Sequence, residues 1–163
     1  MENNIRYHDT SILSDEILKA MKDKLVGRKE GYNHVAVYVP IGDLLTATHV
    51  RACAGINTER TPYNGVPYDT HAEKDALDKI IRNSNYRQKS NTKGIKLDLY
   101  VMSFSPTGLL RMSKPCCLCI KMLNNISKRG IIVKNIYYSN SNRGITRVRL
   151  SDISNITRKK RKN

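Results

Sequence analysis

Two short segments, His71-Ala72-Glu73 and Pro115-Cys116-Cys117-Leu118-Cys119, decide how the rest of this chain is interpreted. They are separated by 41 residues, and each stands at the start of a predicted helix. A spacing of three residues brings the sulfurs of Cys116 and Cys119 to one side of a helical turn. Together the segments offer one imidazole and two thiols, which are ligands that zinc prefers in proteins.

The ligand set predicts a catalytic zinc site, with zinc held by His71, Cys116 and Cys119. Three protein ligands leave one tetrahedral position for water, and zinc lowers the pKa of that water to about 7, which yields hydroxide at neutral pH. The positive helix ends favour the thiolate form of the cysteines. Glu73 is the predicted general acid/base, because a carboxylate beside the attacking water can accept its proton and pass it on. A purely structural zinc knuckle is the alternative that these residues leave open.

Hydrophobic periodicity around the two segments predicts one α/β domain over residues 1–154, with a basic tail over 155–163 that we expect to be disordered. Apolar stripes at helical spacing predict helices at about 15–26, 71–83 and 115–129. Alternating or β-rich runs predict strands at about 34–39, 44–50, 97–104, 131–138 and 145–150. A long loop is expected over residues 51–70, and a loose lead-in over the first ten. This order predicts helices packed around a mixed sheet.

The composition favours partners that carry negative charge. The chain of 163 residues has a formal net charge of +15, and the run from Arg158 to Lys162 supplies five of these charges, which leaves +10 on the rest. Nucleic acid, phosphorylated nucleotides or an acidic surface are therefore candidate partners, although compositional drift explains the same balance. No apolar run is long enough for a membrane span, and the first residues lack a signal peptide, so we expect a cytoplasmic or nuclear protein without membrane contact.

On the His-x-Glu and Pro-Cys-x-x-Cys segments, the chain resembles the zinc-dependent cytidine and deoxycytidylate deaminase superfamily, over residues 34–150. The resemblance implies a three-layer α/β/α fold with a mixed five-stranded sheet. It implies hydrolytic deamination of cytosine in a nucleoside or nucleotide, with hydroxide attacking C4 and Glu73 moving the protons. It assigns zinc to His71, Cys116 and Cys119, and it implies that a homo-oligomer is possible.

Two features of the sequence resemble different branches of the superfamily. The histidine ligand and the stretch Ser113-Lys114-Pro115-Cys116 are similar to small phage and large-virus deaminases of the deoxycytidylate type. The short turn expected at residues 140–144 resembles the ending of cytidine deaminases. Superfamily members hold the substrate with an asparagine ahead of the His-Ala-Glu helix. The resemblance therefore implies substrate contacts at Asn57, with Asn64 and Ala72 as further candidates.

Two other functions are alternatives to a deaminase that acts on a free nucleoside or nucleotide. An RNA- or DNA-editing deaminase is suggested by the basic body and by Arg147 and Arg149, which face one side of the predicted last strand. The chain lacks tryptophan, which separates it from editors with a Ser-Trp-Ser-Pro-Cys segment. A zinc-stabilised nucleic-acid-binding protein without turnover is the third possibility, although it has no need of the Glu73 carboxylate.

Overall fold

The computed structural model describes residues 6–8, 13–28, 33–60, 68–83 and 94–153, with residues 6–8, 60 and 68 described by their backbone alone. The main helices are α1 (Asp15–Asp23), α2 (Ala47–Cys53), α3 (Ala72–Arg82) and α4 (Cys117–Asn125), and α4 continues into a 3₁₀ turn at Ile126–Arg129. Residues 150–153 are also helical. The strands are β1 (Arg6–His8), β2 (His34–Pro40), β3 (Gly55–Ile56), β4 (Thr58–Arg60), β5 (Tyr68–Thr70), β6 (Ile95–Phe104), β7 (Leu110–Arg111), β8 (Ile131–Ser139) and β9 (Ile145–Arg149).

The main sheet is mixed and runs in the order β1-β9-β8-β6-β2-β3. Strands β6 and β8 are parallel, whereas the other pairs are antiparallel. Four of the five predicted strands are present, as β2, β6, β8 and β9, and the short strands β1, β3 and β7 complete the sheet. Strands β4 and β5 pair with each other as a separate two-stranded sheet. The predicted α/β class and mixed sheet are therefore confirmed.

Successive residues of a strand point to opposite faces of its sheet, and β2 shows this alternation clearly. Ala36 and Tyr38 belong to one buried cluster, which includes the apolar residues of α3 and α4. Val35 and Val37 belong to a second cluster, which includes the apolar residues of α1 and α2. Strand β2 is therefore buried on both faces, and helices bury their apolar sides against each cluster.

The predicted secondary structure is wrong for two segments of the chain. The segment expected as a strand at 44–50 instead forms α2, since Thr46 accepts a hydrogen bond from the His49 backbone amide at 3.1 Å and so caps the helix. The expected lead-in contains β1, which pairs antiparallel with β9. Strand β9 therefore lies inside the sheet, between β1 and β8.

The third predicted helix is placed correctly but begins later than expected. Cys116 is its N-cap residue and Cys117 its first residue, so Pro115 precedes the helix instead of opening it. The predicted stop at Gly130 is confirmed, because this glycine adopts the left-handed conformation with φ of 78°. The predicted tail over 155–163 lies outside the described residues. Within the described part of the chain, every helix is too short or too polar to cross a membrane.

Candidate metal centre

The two diagnostic segments meet at one place in the fold. His71 is the N-cap residue of α3, Cys116 is the N-cap residue of α4, and Cys119 lies in the first turn of α4. The Nδ1 atom of His71 lies 3.3 Å from the Cys119 Sγ atom and 3.5 Å from the Cys116 Sγ atom. All three donor atoms lie within 4.8 Å of one another, so this group can hold a metal ion.

The helix ends supply a positive environment for the two thiols, but burial acts against the ionisation of Cys119. The pKa of the Cys119 thiol is raised, chiefly by burial and then by the charges of Glu73 and Cys116. A cation bound at the group reverses this balance, because a coordinating thiol loses its proton. The neighbouring Cys117 is exposed and lies outside the group.

Glu73 lies beside the three donor residues. Its side chain is only 5% exposed and hydrogen-bonds the Cys119 side chain. Burial raises the pKa of the Glu73 carboxyl, while a hydrogen bond from its own backbone and the nearby charge of His71 act in the opposite direction. A buried carboxyl group held against the Cys119 side chain is placed to accept and release protons at this group of residues.

Helix α3 is held close to the edge strand β3 at a glycine. A Cβ atom added at Gly55 would lie 2.1 Å from the Ala76 backbone nitrogen and 2.4 Å from the Ala72 carbonyl oxygen, so no larger residue fits. Asp75, which is buried, accepts a hydrogen bond from the Ile56 backbone amide at 3.1 Å. These contacts fix the start of α3, and with it His71, relative to the sheet.

A second contact holds α3 through the carbonyl group of Glu73 itself. The fully buried hydroxyl of Tyr38 on β2 donates a hydrogen bond to that oxygen at 3.0 Å. The Nε2 atom of His49 lies 2.9 Å from the Tyr38 carbonyl oxygen, which links α2 to the same strand. The sequence pattern identified Glu73 but gave no sign of Tyr38 or His49, because it does not reveal which strand underlies the helix.

The approach to α4 is held by two buried serines. The Ser113 hydroxyl lies 2.7 Å from the Ser139 hydroxyl and donates to the Val101 carbonyl oxygen at 2.6 Å. The backbone amide of Ser139 donates to Ser113 Oγ at 2.8 Å, and the Ser113 amide donates to the Ser139 carbonyl oxygen at 2.9 Å. The segment before Cys116 is therefore tied to β6 and β8.

The predicted substrate residues have different outcomes. The backbone amide of Asn57 donates to the His34 carbonyl oxygen at 3.4 Å. Ala72 is fully buried in the core. Asn64 lies outside the described residues. That Asn57 and Ala72 contact a substrate stays a prediction.

Three buried polar atoms near this site have no hydrogen-bond partner among the described residues: Asn57 Oδ1, Thr58 Oγ1 and His34 Nδ1. Buried polar groups are nearly always satisfied, so such atoms call for an explanation such as water or a ligand. His34 was not among the predicted site residues. The only signal in the sequence was its position at the start of a β-rich run, and the pairing that brings it to the site is not visible there.

Comparison with models of known protein families gives no match to this chain, and comparison with curated proteins gives none either. The resemblance to the deaminase superfamily therefore rests on the two short segments.

Proposed function

We propose that this protein is a zinc-dependent hydrolytic deaminase that acts on cytosine in a nucleoside or nucleotide. The observation that carries the proposal is the buried carboxyl group of Glu73 beside a group of His71, Cys116 and Cys119. A structural zinc site closes all four positions with protein ligands. Here three ligands and an adjacent proton carrier match the composition of a hydrolytic site instead.

Zinc fits the donor set in kind and in spacing. Tetrahedral zinc at about 2.3 Å from sulfur and about 2.1 Å from nitrogen separates these two ligand atoms by about 3.6 Å. The corresponding Sγ to Nδ1 distances are 3.3 and 3.5 Å. Two thiolates and one imidazole are also a softer set than magnesium or calcium selects.

A zinc ion held by these residues would lower the pKa of a coordinated water and so supply the nucleophile. A carboxylate oxygen of Glu73 accepts a proton from the attacking water and passes it to N3 of the ring. It then carries the second proton to the leaving amine. The C4–O bond forms and the C4–N bond to the amine breaks, so cytosine and water give uracil and ammonia. The proposal includes the three-layer deaminase-like fold, which the two buried clusters on opposite faces of β2 support.

The test is a turnover assay on purified, zinc-loaded protein. Cytidine, deoxycytidine, their monophosphates and a cytosine-containing oligonucleotide are incubated separately, and uracil products and ammonia are measured. We expect Glu73→Gln to lower the rate by about 10²- to 10⁴-fold, because general acid/base catalysis contributes that much. Glu16→Gln is the matched control, since Glu16 is exposed on α1. Full activity in Glu73→Gln would rule out the mechanism.

The same assay separates the two other functions. Turnover of the oligonucleotide alone would identify a polynucleotide editor. Oligonucleotide binding that weakens steeply with salt, without any product, would identify a non-catalytic nucleic-acid-binding protein.

A further inference from the structure

A row of polar residues crosses the end of the sheet that is nearest the metal centre. Asn57 lies next to His34, His34 pairs with Ser103, and Ser103 pairs with Arg111. Residues that are paired across neighbouring strands point to the same face of the sheet. Thr58 pairs with Thr70, the residue before His71, so the row begins beside the metal centre. It ends at Arg111.

A groove of about 900 Å³ lies at the Arg111 end of this row. Its lining includes Lys22, Arg28, His34, Ser103 and Arg111, and no described residue that lines it carries a carboxylate. Three fixed positive charges without a negative one make this a site for an anion. The volume is in the range of pockets that hold a small molecule.

His34 connects the groove with the metal centre. It lines the groove, and it lies within electrostatic reach of both ends, since the charges of His71 and Arg111 help to lower the pKa of its imidazole after the larger effect of burial. Its Nδ1 atom is buried without a partner among the described residues. Asn57 Oδ1, the next side-chain acceptor along the row, is also buried without a hydrogen-bond partner among the described residues. The row between the metal centre and the groove therefore holds two buried polar atoms that call for a partner.

We infer that the groove binds the phosphate of a cytosine 5′-mononucleotide, with Arg111 as its main ligand and Lys22 and Arg28 as supporting charges. The inference rests on the proposed function, and it selects the nucleotide over the free nucleoside as substrate. Arginine suits this role because its guanidinium can donate two parallel hydrogen bonds to one phosphate. Arg111, Arg28 and Lys22 are all exposed, and the Lys22 Nζ atom lies 5.7 Å from the centroid of the Phe104 ring.

The test measures binding without turnover. Zinc-loaded Glu73→Gln protein is titrated calorimetrically with deoxycytidine, cytidine and the two 5′-monophosphates. We expect the monophosphates to bind at least about tenfold more tightly than the nucleosides, as charge-assisted hydrogen bonds to phosphate require. Adding Arg111→Gln should bring this preference below about threefold, and Lys22→Gln and Arg28→Gln should each reduce it in part. Arg143→Gln, at an exposed turn, is the control that should preserve it.

Each contrary result has a distinct meaning. Equal binding of nucleoside and monophosphate would overturn the inference, as would an unchanged preference in a folded variant that lacks all three charges. Turnover of nucleosides and monophosphates alike would do the same while leaving the proposed function intact. A phosphate preference in protein that deaminates nothing would support the groove and refute the proposed function. An oligonucleotide that binds about 100-fold more tightly than the mononucleotide, through the same three residues, would overturn the assignment to a mononucleotide.

Discussion

The Cys119 side chain interacts with the other residues of the candidate metal centre and with Glu73. Its sulfur lies 3.3 Å from His71 Nδ1, and its side chain also interacts with Cys116 and Glu73. Replacing sulfur with oxygen at this position removes a soft ligand and leaves a hydroxyl that zinc binds poorly. We expect Cys119→Ser to weaken zinc binding by about 100-fold or more, because metal affinity depends on the complete ligand set.

The measurement for this variant is the zinc content after dialysis against a chelator buffer that wild-type protein withstands. Cys117→Ser is the matched control, since Cys117 is exposed and lies outside the group. Equal zinc retention in Cys119→Ser and wild type would mean that the metal binds elsewhere.

At the scale of single residues, the sequence predicted what depends on short-range spacing. The ligand types and the three-residue separation of Cys116 and Cys119 are visible without a structure. His34 and Tyr38 were missed because their contacts depend on strand register and on which helix lies over β2. A histidine at the start of a strand has no local pattern that distinguishes a site residue from a packing residue.

At the scale of elements, the contact between α3 and β3 can be tested by adding a single methyl group at Gly55. An alanine at Gly55 would place its Cβ atom 2.1 Å from the Ala76 nitrogen, so α3 must move away from the sheet. Overpacking of this kind typically costs about 1–3 kcal/mol of stability. We expect Gly55→Ala to lower the free energy of unfolding by at least that amount and to weaken zinc binding, since α3 carries His71 at its start.

Urea denaturation and zinc titration of Gly55→Ala check both expectations. Gly27→Ala is the control: this residue has open space around it but a φ of 75°. It should lose only about 1–2 kcal/mol through backbone strain and should bind zinc normally. If Gly55→Ala bound zinc as tightly as Gly27→Ala does, the close packing of α3 would not position the ligand.

The error over residues 44–50 also belongs to the scale of elements. Leucine, threonine and valine at these positions suggest a strand, but β-propensity is weak and tertiary packing overrides it. Ala47 and Val50 are buried three residues apart, which is helical spacing, and Thr46 is an effective N-cap. Short segments of this kind fit either period until the neighbouring elements are known.

At the scale of the whole molecule, the order of strands and helices was largely predictable, whereas the sheet's full extent was not. Four of the five predicted strands lie in the sheet, whereas β3 came from the segment expected as a loop and β1 from the expected lead-in. Strands of two or three residues carry too little periodicity to detect. Their pairing is decided by longer partners such as β2 and β9.

The metal centre also joins distant parts of the chain, and this gives a prediction for the stability of the whole molecule. His71 lies 45 residues before Cys116 and 48 before Cys119, so the ligands come together only in the folded protein. An ion that binds the native state alone, at about 100 times its dissociation constant, stabilises that state by about 2.7 kcal/mol. For a domain of this size each kcal/mol raises Tm by about 2–4 °C, so zinc should raise the Tm of metal-free protein by about 5–10 °C. Calorimetric scans with zinc and with magnesium check this, because magnesium requires oxygen ligands and should give no shift. A Cys116→Ser, Cys119→Ser double variant should lose the shift, and a shift of the same size in that variant would show that the stabilising ion binds outside the group.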